Sequence, residues 1–76
     1  MKRLPSKAFA INAPWTAVTP VQGWRHYRVA TTKPAKTSET GLAMVELMAV
    51  CDRSVRFWIT RQALAADPNW ITGWKD

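Results

Sequence analysis

Cys51 is the only cysteine in the chain and His26 the only histidine. In a chain of 76 residues, that restricts the fold more than any other feature. A domain this short buries a modest share of its surface and sits near the margin of stability, where disulfides or structural zinc commonly help. One thiol makes no internal disulfide, and one thiol with one imidazole makes no zinc site. Stability must come from packing. The means are five tryptophans, two phenylalanines and one tyrosine, each able to bury about 150–250 Å². The length allows one small domain.

The run VRFWIT, residues 55–60, reads as a strand. Side chains alternate along a strand, so Val55, Phe57 and Ile59 share a first, apolar face. Arg56, Trp58 and Thr60 share a second face. Upstream, WTAVTP (15–20) is a β-rich run bounded by prolines, Gln22-Gly23 follows as a turn, and WRHYRVATT (24–32) reads as a second strand. KPAKTSETG (33–41) is a polar, proline-broken loop. LAMVELMAVC (42–51) has the composition of a helix former, yet it meets 55–60 across only Asp52-Arg53-Ser54, which favours a hairpin. After Thr60 the period changes. Thr60 caps a short helix over 61–67, and Asp67-Pro68 starts a helical turn that Gly73 ends, with Trp70 and Trp74 on one side. The expected fold is mainly β: a four-stranded antiparallel meander, open or curled into a small SH3-like half-barrel, with a short C-terminal helix. Residues 1–13 read as a flexible N-terminal arm, and 14–76 as a single domain.

Directly opposed residues in a hairpin point the same way. A three-residue loop at 52–54 pairs Cys51 with Val55, Ala49 with Phe57 and Leu47 with Ile59, an entirely apolar face. A two-residue loop mixes apolar and charged residues on both faces and lacks the glycine such turns favour. Register follows the pattern that buries one face, so the first pairing is expected. Cys51 then fills the core as a small hydrophobe, and Glu46 is a rim residue paired with a cation.

The second face acquires Trp58 beside Arg56 and Met48. The strand over 24–32 extends it with either Trp24, His26 and Arg28 or Arg25, Tyr27 and Val29. Each set is part aromatic and part basic. Rings interleaved with cations form stacking platforms for single-stranded nucleic acid, with arginines and lysines on phosphates. The candidate binding residues are Trp58, Arg56, Trp24, Tyr27, Arg28, Arg25, Lys33 and Lys36. The opposing reading is that Trp70 and Trp74 fold onto this face and make its rings a second small core. Eleven Lys and Arg against five Asp and Glu give a formal charge of +6. That charge suits nucleic acid or an acidic protein surface, and also suffices simply to keep a small domain soluble.

No run reaches the 18 or so apolar residues of a membrane span. Pro5 and Lys7 break what would be the apolar core of a signal peptide. The lone thiol agrees with a reducing compartment, and the expected location is cytoplasmic.

Four features together resemble the small tryptophan-rich proteins of bacteria, including aquatic and photosynthetic ones. They are Trp-Thr-Ala-Val-x-Pro at 15–20, Val45-Glu46-Leu47, Phe57-Trp58-Ile59, and Gly73-Trp74-Lys75. The resemblance runs from residue 14 to the end. It implies a single small cytoplasmic module with no established activity, cofactor or catalytic residue.

The residues themselves point away from catalysis. His26 is the one imidazole, Ser6, Ser38 and Ser54 fall on an arm, a loop and a turn, and Glu46 has no acidic partner. Gly23, Gly41 and Gly73 make no phosphate-binding loop. No cofactor is expected. The expected function is a non-catalytic module for RNA or single-stranded DNA. The alternative is a protein-interaction module or accessory subunit docking through the same Trp/Arg patch.

Overall fold

The computed structural model describes residues 4–75. Residues 1–3 of the expected arm and residue 76 of the expected domain lie outside the described residues. The described residues form five strands: β1 (Pro14–Val21), β2 (Trp24–Lys33), β3 (Met44–Ala49), β4 (Arg56–Thr60) and β5 (Trp70–Thr72). They form one antiparallel sheet in the order β4-β3-β2-β1-β5. A short α-helix, α1 (Arg61–Ala66), joins β4 to β5. Thr60 caps it as its residue type suggests, the hydroxyl accepting from the Ala63 amide at 3.0 Å. The β1–β2 hairpin closes on Gln22-Gly23 with φ of 51° and 87°. A two-residue turn with both central residues left-handed matches the strand twist, and glycine relieves the second position.

The inner face carries Trp15 and Ala17 of β1, Tyr27 and Val29 of β2, Val45, Leu47 and Ala49 of β3, and Trp70 of β5, all buried. Phe57 and Ile59 of β4 pack against them, and Leu64 of α1 is buried in the same cluster. Tyr27 stands edge-on to Trp70 and Phe57, with centroids 5.2 and 5.7 Å away. Phe57 and Trp70 themselves lie 6.1 Å apart. They belong to the two outermost strands, so this contact marks a sheet curled around its core. The buried polar tips are satisfied: the Trp15 indole donates to the Ala8 carbonyl at 2.8 Å and the Tyr27 hydroxyl to the Val21 carbonyl at 2.6 Å.

Several expectations are corrected. The sheet has five strands rather than four, and among the described residues β4 and β5 each pair on one side only. The fifth strand is the segment read as a helical turn. Asp67 starts it as expected, its carboxylate accepting from the Asn69 amide at 2.9 Å. Residues Trp70–Thr72 then pair with Ala17, Thr16 and Trp15 instead of coiling. Pairing to β1 satisfies a whole row of backbone groups that a single helical turn would leave open.

Within residues 4–13, expected as part of a flexible arm, Leu4, Ala8, Phe9 and Ala13 pack on the core, while the residues between them stay exposed. Ser6–Phe9 forms a 3-10 turn, and Phe9 is 6% exposed, tilted against Trp15 at 5.7 Å. The Asn12 amide donates to the Val29 carbonyl, and the Val29 amide to Ala13, continuing the β1–β2 ladder backwards.

The β3–β4 register is displaced by two residues from the expected one. Leu47 lies opposite Phe57 and Val45 opposite Ile59. The displacement is even, so each residue keeps its face. The loop spans 50–54 because the Val50 amide donates across to the His26 carbonyl, leaving β4. Asp52 closes the loop by accepting from the Ser54 amide and hydroxyl, bonds that also lower its pKa. Cys51 consequently lies exposed in this loop and is not a core residue.

Candidate functional site

The outer face of the sheet is built in rows across strands. Arg28, Met48 and Arg56 form one row, Thr31, Glu46 and Trp58 the next, and Lys33, Met44 and Thr60 a third. Neighbours within a row stand about 4.5–5.5 Å apart. Trp58 is 42% exposed, and the Lys33 ammonium sits 5.2 Å from its ring centroid. Arg56 is held without being neutralised. Its guanidinium donates to the Met48 sulfur and to the Arg53 carbonyl, each at 3.3 Å, and meets Glu46 only at 3.9 Å. A partly exposed pair at that separation contributes little. These three rows hold three cations and one carboxylate, so the face is positive around an accessible indole.

Lys33 reaches this face because of a β-bulge. Val29 pairs with Leu47, whereas Thr31 pairs with Glu46, leaving Ala30 as the extra residue. An extra residue switches the alternation. Without it Thr31 and Lys33 would follow Tyr27 and Val29 to the inner side.

A fourth row, Ile71, Thr16 and His26, borders the first, and the C-terminal residues cross over it. The buried Thr16 hydroxyl donates to the Gly73 carbonyl at 2.7 Å and accepts from the Lys75 amide at 2.9 Å. His26 Nε2 lies 2.8 Å from the Lys75 carbonyl. The Trp74 indole donates to the Tyr27 carbonyl at 2.9 Å while the residue stays 53% exposed. Gly73, at φ 83°, provides the left-handed residue that turns the chain off β5.

The eight candidate residues therefore separate. Trp58, Arg56, Arg28 and Lys33 come together. Lys36 is exposed on the Ala35–Thr37 turn that follows Lys33. Trp24 shares parity with His26 and Arg28 but sits at the hairpin end, half-buried against the core. Tyr27 and Arg25 have the opposite parity. Tyr27 is wholly buried, and burial pushes its phenol pKa up. It cannot stack on a ligand, and its place in the site is withdrawn. Arg25 is half-buried and spends its Nε–H on the Ala17 carbonyl at 3.2 Å. Trp74 does fold onto the outer face, as the opposing reading expected, but Trp70 is buried on the inner face instead, and Trp74 and Trp58 stay accessible rather than forming a second core. Gly73 before Trp74 was the available signal for a reversal.

A family model described as Tryptophan-rich protein (DUF2389) matches residues 13–75. The match includes all five strands and α1, and leaves out the Ser6–Phe9 turn. Comparison with curated proteins finds no match, and comparison with solved structures finds none.

Proposed function

The chain belongs to the tryptophan-rich protein family DUF2389, a family of unknown function, and from its outer face we propose a non-catalytic module that binds single-stranded nucleic acid. The observation that carries this reading is Trp58: a residue 42% exposed, with Lys33 over its ring and Arg56 in the adjoining row. A flat ring accepts a base of any sequence, and flanking cations meet the phosphates on either side. The formal charge of +6 assists encounter with a polyanion. An exposed free thiol at Cys51 suits a reducing, cytoplasmic setting. Among the described residues no helix is long and apolar enough to cross a membrane.

The test is a titration of a fluorescein-labelled oligothymidylate at low salt, followed by anisotropy. Wild-type protein should bind, with affinity falling steeply as salt rises. Trp58→Ala should weaken binding by about 1–3 kcal/mol, the value of one stacked base. A flat titration removes the reading. One observation favours a protein partner instead: β4 is an outer strand of the sheet, and an outer strand can take an added strand from another chain. Such binding would rest on main-chain hydrogen bonds and would change little with ionic strength.

A further inference from the structure

Trp74 presents an unusual combination. The residue is 53% exposed, yet its position is fixed. The indole N–H is consumed by the Tyr27 carbonyl, and the chain on either side is tied down by Thr16 and His26. The four contacts span Gly73 to Lys75 and hold the segment across the outer face rather than over the core. A ring in this state has no hydrogen-bond donor left to offer and a face that water covers. It is suited to stacking and to little else.

We infer that Trp74 is a second base-stacking ring of the same site, and that the two rings together select an unstacked single strand. This rests on the single-strand reading given above and extends it to the form of the ligand. Trp74 is anchored to β2 through Tyr27, and Trp58 projects from β4, with β3 between them. Two strand spacings place the anchors roughly 10 Å apart across the sheet. They are also offset along it, since Tyr27 lies opposite Ala49, whose amide bonds Val55, three residues before Trp58. Bases stacked in a duplex lie about 3.4 Å apart along each strand and are closed off by pairing. Neighbouring stacked bases therefore cannot reach both rings. A strand that occupies both must be splayed, with its backbone crossing the row of Arg28, Met48 and Arg56 between them. Lys75, beside Trp74, adds a cation at the far end.

The ligand pays for unstacking before it binds, and that cost is lower for thymine than for adenine runs. The structure thus assigns the site to flexible, pyrimidine-rich single strands and against duplexes, a preference set by stacking and backbone flexibility rather than base-edge contacts.

The experiment compares four proteins: wild type, Trp58→Ala, Trp74→Ala and Trp74→Phe. Fluorescein-labelled oligothymidylate, oligodeoxyadenylate of equal length and a duplex of equal length are titrated at one low salt concentration. Near-ultraviolet circular dichroism checks each fold. Wild type should bind oligothymidylate most tightly and the duplex least. Trp74→Ala should weaken oligothymidylate binding about 5- to 150-fold, the loss of one stacked base. Trp74→Phe, which keeps a ring, should recover part of it. If Trp58→Ala weakens binding while Trp74→Ala leaves it unchanged, the second ring is refuted and the single-strand reading stands. Equal affinity for duplex and single strand overturns the inference. Failure of wild type to bind any of the three overturns both.

Discussion

The ammonium of Lys33 lies 5.2 Å from the centroid of the Trp58 ring, although β3 separates their strands. The bulge at Ala30 makes this contact: it turns Thr31 and Lys33 onto the outer face, where Lys33 reaches diagonally to a ring in the neighbouring row. The contact joins the cation and the exposed ring of the proposed site in a single unit.

Replacing that cation should therefore change binding and leave the fold intact. For Lys33→Ala, the slope of log affinity against log salt for oligothymidylate should fall by about 0.7, one phosphate contact on a single strand. The thermal midpoint should fall by only about 2–8 °C, since an exposed cation–π contact contributes about 0.5–1 kcal/mol. An unchanged slope would show that Lys33 serves Trp58 and not a ligand.

Much of the fold follows from local chemistry that the residues state openly. The alternation in 55–60 assigned every β4 side chain to its face, Gln22-Gly23 marked the hairpin, and Thr60 marked the helix start. What escaped was set by tertiary contacts. The extra residue at Ala30 has no composition signal: alanine occurs anywhere in a strand, and only the shift from Val29–Leu47 to Thr31–Glu46 reveals it. The β3–β4 loop is longer than expected because Val50 bonds to β2, a partner invisible from the hairpin alone. Asp67-Pro68 signals a turn whether helix or strand follows, and the backbone of β1 decided for a strand. On the outer face, Arg56 and Trp58 were legible from parity. The places of Arg28 and Tyr27 were not, because both candidate faces of β2 mixed rings with cations and only the pairing of Arg28 with Met48 decides between them.

The packing of Phe9 is a further point where the sequence misled, and it is testable. Phe9 is 6% exposed and contacts Trp15, with the Arg61 guanidinium carbon 4.4 Å from its ring centroid. Phe9→Ala should cost about 3 kcal/mol, as for other buried aromatics, a large fraction of the stability of a domain this small. Urea unfolding followed by tryptophan emission would show a lower midpoint. An unchanged midpoint would restore the free arm.

Tyr27 links stability to alkaline pH. Its phenol is held above the ordinary value of 10.0 by burial. A folded-state pKa above the unfolded one contributes stability that is fully present below the unfolded value and is lost as pH rises through the folded one. The urea midpoint should hold up to about pH 10 and decline above it. As the chain has one tyrosine, phenolate absorbance reports this group alone. Tyr27→Phe should flatten the decline, at a cost of about 1 kcal/mol for the lost hydrogen bond to Val21. A phenol that ionises at its ordinary pKa with no loss of stability would contradict the burial account.

The five tryptophans provide the most direct test of the whole account, because each indole N–H gives its own resonance in a proton–nitrogen correlation spectrum. On addition of oligothymidylate, the Trp58 and Trp74 indole signals should move together along one saturation curve. Those of Trp15 and Trp70, sealed on the inner face, should stay in place. Indole signals that remain fixed at saturating oligonucleotide, or movement confined to the buried pair, would contradict a binding surface on the outer face.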